Sequence, residues 1–193
     1  MTSKKQLRQR ILAQRQAMST VTWQQKSDAI CRYLQDSTQI VAARTILAYV
    51  SFRQEPDLML LLRSLSMPSV LGLPRCQGKT LIWHQWHPTQ SPTLQPGTYG
   101  ILEPAEHLPF IDPATLGPQD VMLVPAVGCD RQGYRLGYGG GFYDRLLSTA
   151  PWSAMITIGI IFDFAYVDEL PVDPWDQALT AVCTESGITF TRE

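Results

Sequence analysis

Apolar residues recur with a helical period near the start of the chain and again at several points further on. Residues 3–16 contain no Gly or Pro and carry Leu7 and Ile11 on one face, which is typical of an amphipathic helix. Thr22 and Gln25 have the spacing of a capping box, so a second helix is predicted to begin at Thr22. Helices are predicted over 3–16, from 22 onwards, over 57–65 and over 141–148.

Short, nearly continuous apolar runs separate these helices and are typical of strands buried on both faces of a sheet. Strands are predicted over 45–51, 69–73, 80–86, 121–127, 155–162, 179–183 and 188–191, with Pro125 expected to end the fourth. Residues 87–120 are rich in proline and turn signals and are expected to be mostly loop. The alternation predicts an α/β fold, an open and mostly parallel sheet with helices on both faces, in one domain over residues 1–193.

The composition is that of a globular protein without a membrane anchor. The 193 residues are 45% hydrophobic and 17% charged, against a charged share of about 25% in average proteins. The longest apolar stretch, 154–162, is too short to cross a bilayer, and no apolar core follows the basic start as a secretory signal requires. A mitochondrial presequence is the alternative interpretation of that Arg-rich, acid-free start. The four cysteines lie 45 or more residues apart, which favours reduced, mostly buried thiols in the cytoplasm over zinc ligands or disulfides.

Charge is distributed unevenly along the chain. Residues 1–53 carry nine Lys or Arg and two Asp, whereas residues 54–193 carry seven Lys or Arg and fifteen Asp or Glu. One interpretation is a dipolar surface without a role; the other is that the N-terminal segment supplies cations to an anionic ligand held by the rest of the chain. A pI near 6.3 argues against a nucleic-acid-binding domain.

The densest chemical signal is the stretch GCDRQGYRLGYGGGFYDR at 128–145, between a predicted strand and a predicted helix. Six of the thirteen glycines lie within 128–141. Glycines allow positive φ and close approach of an anion to backbone N–H groups, and a helix N-terminus there would add to a phosphate cradle. Arg135 and Arg145 flank the loop with guanidinium groups suited to phosphate.

Two common phosphate motifs do not fit this loop. A Walker A motif requires a lysine that is absent here, and a dinucleotide fingerprint requires a third glycine where Phe142 stands. A purely structural glycine-rich turn is the alternative, although six glycines in one loop carry a large entropic cost.

Residues 135–144, RLGYGGGFYD, resemble the signature of the 5-formyltetrahydrofolate cyclo-ligase family, also called methenyltetrahydrofolate synthetases. Four weaker segments resemble the family in the same order: the K-x-x-L-R pattern at 4–8, YVSFRQEPD at 49–57, GILEP at 100–104, and the Pro-Asp segment at 170–176. Leu58 stands where the family usually has Thr, and Trp175 where His commonly precedes the last aspartate. We expect these two departures to bear on substrate fit more than on the type of reaction.

The resemblance implies an ATP- and Mg²⁺-dependent ring closure that converts 5-formyltetrahydrofolate to 5,10-methenyltetrahydrofolate and releases ADP and phosphate. ATP would phosphorylate the formyl oxygen, and N10 would then attack the formyl carbon. In such phosphoryl transfer the protein mainly positions groups and neutralises charge. The implied fold is an open α/β sheet of the NagB/RpiA/CoA-transferase-like type.

The resemblance also implies a set of site residues. The expected ATP-binding residues are Lys4, Arg8, Arg135, Leu136, Gly137, Tyr138, Gly139, Gly140, Gly141, Phe142 and Tyr143. The expected substrate-binding residues are Val50, Glu55, Tyr99 and Tyr143, with Glu55 accepting N–H donors of the pterin ring. Arg135 and Tyr143 are the expected catalytic residues, and Asp144 and Asp176 the expected Mg²⁺ ligands.

Each assignment has a plain structural alternative. Lys4 and Arg8 would also suit a solvated basic helix, and Val50 a buried strand. Glu55, Tyr99 and Asp176 would also suit loops or turns, and Asp144 could simply stabilise a helix N-terminus. The histidines at 84, 87 and 107 have no partners spaced for metal binding and are assigned no role.

Three functions are consistent with these residues. The first is the cyclo-ligase, acting as a monomer on 5-formyltetrahydrofolate and ATP, with no nucleic acid or membrane partner. The second is a catalytically silent nucleotide- or folate-binding protein of the same fold. The third is a regulatory anion-binding module, which would need no folate-facing residues. Arg135, Asp144 and Glu55 are all present, which favours the enzyme.

Overall fold

The computed structural model describes residues 3–65, 70–89 and 93–191. The helices are α1 (Lys4–Gln16), α2 (Thr20–Gln35), α3 (Thr38–Val41), α4 (Met59–Ser64) and α5 (Phe142–Leu147). The strands are β1 (Thr45–Leu47), β2 (Val70–Gln77), β3 (Thr80–Gln85), β4 (Leu94–Pro96), β5 (Leu102–Pro104), β6 (Val121–Pro125), β7 (Gly128–Asp130), β8 (Arg135–Leu136), β9 (Ile156–Ile160), β10 (Tyr166–Val167), β11 (Ala181–Thr184) and β12 (Gly187–Phe190). Residue 69 of the predicted second strand lies outside the described residues, and that strand extends further than predicted, to Gln77.

Seven strands form the main sheet, in the order β12-β11-β9-β6-β1-β2-β3. The five central strands are parallel, and β12 and β3 pair antiparallel at the two edges. The chain passes from β1 to β2 on one side, then returns to β6 on the other side of β1. Ligands of open α/β sheets bind at such a switch point, beyond the carboxyl ends of the strands.

Helices cover both faces of the sheet, as the sequence predicts. Neighbouring residues of β1 point to opposite sides, so Ile46 packs in one core and Leu47 in the other. The first core contains apolar residues of α2 and α4, and the second contains Leu7 and Ile11 of α1 and Leu147 of α5. An α/β fold with a mostly parallel sheet is therefore confirmed. No helix in the described ranges is long and apolar enough to cross a membrane.

The second helix begins earlier than the capping-box pattern predicts. α2 starts at Thr20, and the hydroxyl of Ser19 accepts the hydrogen bond from the Thr22 N–H, so Thr22 is already helical. Ser19 serves as the cap, which agrees with the stronger preference for Ser than for Thr at that position.

Short strands lie in two segments for which the sequence predicts no individual strand. Within 87–120, β4 and β5 form an antiparallel hairpin. In the glycine-rich stretch, β7 pairs with β8 and with β10 in a second, three-stranded sheet. These strands have only two or three residues each, too few for a repeating pattern to predict them.

Candidate active site

A cavity of about 1150 Å³ opens at the carboxyl ends of β1 and β6, where the strand order reverses. Residues that follow β1 and residues of the loop after β8 line it. All predicted site residues line this cavity, namely Lys4, Arg8, Val50, Glu55, Tyr99, Arg135, Leu136, Gly137, Tyr138, Gly139, Gly140, Gly141, Phe142, Tyr143, Asp144 and Asp176. Pockets for one drug-sized ligand measure about 300–1,000 Å³, so this cavity is slightly larger than the usual pocket for a single ligand.

The loop from Gly137 to Gly141 contains glycines of two kinds. Gly139 and Gly141 have φ of +99° and +65°, where a side chain would be strained. Gly137 lies outside that φ region, and a Cβ on it would meet no heavy atom of the described residues within 4 Å. Because neither φ nor packing requires a glycine at 137, its bare backbone fits the close approach of a ligand such as a phosphate.

Helix α1 places two positively charged side chains at the cavity. Its start is fixed by a capping box between Ser3 and Gln6, and Lys4 and Arg8 lie one turn apart on the same face. Arg8 Nε donates to the carbonyl of Gly137 at 2.8 Å, which ties the helix to the glycine loop. The N-terminal excess of positive charge thus reaches the cavity, as one of the two interpretations of the charge pattern expects.

Lys4 Nζ lies 2.6 Å from Oδ2 of both Asp173 and Asp176. Burial lowers the pKa of Lys4, but the hydrogen bonds to the two aspartates outweigh it and raise the pKa above its ordinary value. Oδ2 of Asp176 also accepts the N–H of Asp173 at 2.8 Å. The aspartate expected to hold Mg²⁺ therefore already holds a cation in this structure.

Arg135 is buried between two partners. Its Nη2 donates to Oδ1 of Asp144 at 2.5 Å, and its Nη1 donates to the carbonyl of Gln177 at 3.5 Å. The guanidinium carbon also lies 5.7 Å from the ring centroid of Tyr143. Arg135 thus connects Asp144, at the start of α5, with Gln177, the residue that follows Asp176 in the chain.

The carboxylates fit a magnesium ion that arrives with a nucleotide. Within the described ranges no group of three or more His, Cys, Asp or Glu could hold a metal ion. Asp144 and Asp176 supply hard oxygen ligands, and Mg²⁺ on a nucleotide usually takes only one or two protein carboxylates beside the phosphates. These two residues could hold Mg²⁺ only as part of a metal–phosphate complex.

Glu55 is buried and lines the cavity, after a turn in which Arg53 and Gln54 both have positive φ. Its Oε2 accepts the N–H of Phe52 at 3.1 Å, and its Oε1 accepts the hydroxyl of Tyr138 at 2.9 Å. Burial raises the pKa of Glu55 to about 7, although these hydrogen bonds and the charge of Arg15 lower it. The strained turn thus holds a carboxylate that titrates near neutral pH.

Arg15 does not line the cavity but contacts Tyr138, which does, and no sequence pattern predicted this contact. It is 2% exposed, and its Nη2 donates to the hydroxyl of Tyr138. The sequence contained a signal for the burial of this arginine, because Arg15 continues the stripe of Leu7 and Ile11 at the same four-residue spacing. A charged residue at an apolar position of a helix stripe marks a buried polar contact.

Aromatic residues complete the cavity. Tyr143 lies beside Arg135, and burial together with the charge of Glu55 raises the pKa of its hydroxyl, which therefore stays protonated. Tyr99 is 64% exposed and meets the ring of Phe142 edge to face, with 6.1 Å between the centroids. Glu103 and Cys76 also line the cavity and were not predicted.

The two departures from the family pattern differ in position. Trp175 is 65% exposed and lines the cavity, where it can contact a ligand. Leu58 is fully buried in the core beside α2 and α4 and does not line the cavity, so any effect on substrate fit would be indirect. Leu58 precedes α4 and points into the core, where an apolar side chain is favoured.

The thiols agree with the sequence analysis. Cys31, Cys129 and Cys183 are buried, Cys76 is partly buried, and all four are free.

Comparison with known proteins was made on sequence and on structure. The model of the 5-formyltetrahydrofolate cyclo-ligase family matches residues 1–185. The 5-formyltetrahydrofolate cyclo-ligase of Mycolicibacterium smegmatis is 34% identical over 195 residues, covering 98% of each chain. That of Escherichia coli K12 is 30% identical over 182 residues, covering 92% of this chain and 98% of the relative.

A solved structure is similar over nearly the whole chain. The NMR structure of 5,10-methenyltetrahydrofolate synthetase from Aquifex aeolicus has a TM-score of 0.84 at 27% identity, covering 98% of this chain and 93% of that one. The match in sequence and the match in fold therefore agree with the signature at 135–144. This chain belongs to the 5-formyltetrahydrofolate cyclo-ligase family.

Proposed function

We propose that this chain catalyses the ATP-dependent cyclisation of 5-formyltetrahydrofolate to 5,10-methenyltetrahydrofolate, with release of ADP and phosphate. The observation that carries the proposal is one cavity that is lined both by a glycine loop with cations and by a buried carboxylate, Glu55. The loop and the cations suit a nucleotide, and the carboxylate suits a pterin. Because these residues line one cavity, the two ligands would meet within it.

The phosphate end is formed by Lys4, Arg8 and Arg135 together with the glycine loop. A formamide oxygen is a poor leaving group, so the formyl oxygen first attacks the γ-phosphorus and the bond to ADP breaks. Negative charge develops on the transferring phosphoryl group, and the buried guanidinium of Arg135 is suited to neutralise it. Lys4 would have to leave its aspartate partners in order to reach phosphate oxygens.

The folate end is formed by Glu55, with Val50 and Tyr99 also on the cavity surface. The carboxylate would accept paired N–H donors of the pterin ring and so orient the formyl group towards the phosphates. N10 then attacks the formyl carbon, phosphate departs with the formyl oxygen, and N10 loses its proton. Tyr143, between Glu55 and Arg135, is suited to contact both ligands.

Asp144 and Asp176 would hold Mg²⁺ together with phosphate oxygens. The ion supplies charge neutralisation of the phosphates when it is bound. The ion pairs of Lys4 are consistent with this assignment, because they place a positive charge against Asp176. The free cysteines support a reducing, cytoplasmic location, and a monomer is the oligomeric state that we propose.

The experiment is an absorbance assay for the methenyl product. Purified protein is given 5-formyltetrahydrofolate with and without MgATP, and ADP is measured in parallel. We expect product only when MgATP is present, with one ADP formed for each methenyl group. A protein that binds both ligands without forming product would instead be a silent relative, and the proposal would be wrong.

A further inference from the structure

Arg15 is a buried charge whose position is not explained by packing. It occupies the apolar stripe of α1, one turn after Ile11, where a leucine would pack without desolvation cost. Its contacts are the carbonyl of Ala126, at 3.4 Å from Nη1, and the hydroxyl and ring of Tyr138. Its Nε has no hydrogen-bond partner among the described residues. A buried arginine with incomplete partners is costly, so its charge must serve something other than stability.

The hydroxyl of Tyr138 links Arg15 to Glu55. A guanidinium only donates, so the phenol oxygen accepts from Arg15, and its single hydrogen is left for Oε1 of Glu55, 2.9 Å away. Oε2 of Glu55 accepts the N–H of Phe52. Both carboxyl oxygens therefore act as acceptors towards the protein, which favours the ionised carboxylate.

We propose that Arg15 is a positioning residue for the folate subsite, which acts through the hydroxyl of Tyr138 to keep Glu55 ionised and oriented towards the pterin. This inference rests on the proposed function, since it concerns the same carboxylate. It also connects the two ligands, because Tyr138 belongs to the glycine loop on the nucleotide side of the cavity.

The electrostatic surroundings of Glu55 agree with this role. The groups that face it are the guanidinium of Arg15, the N–H of Phe52, and the hydroxyls of Tyr49, Tyr138 and Tyr143. Burial raises the pKa of Glu55, and Arg15 is the cation that opposes this rise. Without Arg15 the carboxyl group would remain protonated at neutral pH and would lose one acceptor for the pterin N–H donors.

The test replaces Arg15 and Tyr138 in turn and measures the protonation of Glu55 directly. The variants are Arg15→Met, Arg15→Lys and Tyr138→Phe, with Arg10→Met as a matched control because Arg10 is exposed on the same helix. The carboxyl carbon of Glu55 is followed by NMR over a pH titration of ¹³C-labelled protein, with Glu55→Gln used to assign the signal. This readout needs neither turnover nor a bound ligand.

We expect Arg15→Met and Tyr138→Phe each to raise the midpoint of the Glu55 titration by about one pH unit. At a fixed pH this is a tenfold fall in the ratio of ionised to protonated carboxyl group. Arg15→Lys should give a smaller rise, and Arg10→Met none. Because Arg15 acts through Tyr138, the double variant should shift the midpoint by less than the sum of the two single variants. Should Arg15→Met fail to fold, Tyr138→Phe still breaks the link while leaving the buried charge in place.

Kinetics separate positioning from a structural role. In Arg15→Met the KM for 5-formyltetrahydrofolate should rise about fivefold at pH 7 and recover towards wild type at pH 9, while the KM for ATP changes less than twofold. An unmoved Glu55 midpoint in both Arg15→Met and Tyr138→Phe would overturn the inference, as would a KM defect that does not depend on pH. If wild-type protein forms no methenyl product, the proposed function fails, and the NMR titration still decides the role of Arg15.

Discussion

Nη2 of Arg135 lies 2.5 Å from Oδ1 of Asp144, so the two residues expected to receive phosphate and metal also bind each other. Arg135 is buried and Asp144 is partly exposed. The pair holds both charged groups in place at the surface of the cavity. This arrangement reduces the ordering that binding requires.

Replacement of Arg135 by Ala should weaken nucleotide binding and turnover by more than tenfold, because an Arg–phosphate hydrogen bond contributes about 1.5–3 kcal/mol. The measurement is kcat and the KM for ATP, with thermal unfolding to confirm that the variant folds. Arg131→Ala is the matched control, since Arg131 forms an exposed pair with Asp168 away from the cavity. Wild-type kinetics in a folded Arg135→Ala variant would contradict the assignment.

Asp144→Asn should abolish most activity and raise the Mg²⁺ requirement, because Asp144 lies next to the glycine loop. Asp176→Asn should do the same more mildly, since water could replace one ligand of the ion. Activity is measured against free Mg²⁺ at saturating ATP, with Asp168→Asn as an exposed acidic control. If the curve for Asp176→Asn coincides with that of wild type, Asp176 serves only to hold Lys4.

Gly137→Ala should raise the KM for ATP without lowering stability. The added methyl group would meet no described heavy atom within 4 Å, and the φ of Gly137 does not require glycine. Gly117→Ala is the matched control. A Cβ on Gly117 would also meet no described heavy atom within 4 Å, and its φ does not require glycine, but Gly117 lies outside the cavity. Both variants should unfold at the wild-type temperature or above it. Equal KM values for ATP in the two variants would argue against close approach of a phosphate at Gly137.

The stability of the protein should depend on pH through Glu55. Its pKa is raised from the ordinary value to about 7 in the folded protein, so the folded state holds a proton that the unfolded chain has released. Stability therefore falls as pH rises from about 4.5 to 7, by at most about 1.4 kcal/mol per pH unit. Glu55→Gln removes this contribution. Urea unfolding at pH 5, 6, 7 and 8 should show wild type losing stability relative to Glu55→Gln, and parallel curves would contradict the assigned pKa.

Much of the fold follows from local patterns in the sequence. The apolar runs of β6 and β9 identify buried parallel strands, and the period of Leu7 and Ile11 identifies α1. The order of strands in the sheet depends on contacts between distant segments, and no local period encodes it. The strand β8 has only two residues and is defined by its pairing with β7, so no local period encodes it either.

The site residues that lie in a recognisable motif could be predicted from the sequence. Arg135 and Asp144 lie in a specific signature, and Glu55 lies in a weaker one. Arg15 lies in neither, because its role depends on Tyr138, which is 123 residues away in the chain. Its only sequence signal is a charge on an apolar stripe.

The most direct test of the central claim follows the formyl oxygen. 5-Formyltetrahydrofolate labelled with ¹⁸O in the formyl group is incubated with the protein and MgATP, and the released phosphate is analysed by mass spectrometry. Phosphorylation of the formyl oxygen predicts one ¹⁸O atom in each phosphate, together with one ADP and one methenyl product. Unlabelled phosphate, with the ¹⁸O released to water, would contradict the proposed reaction.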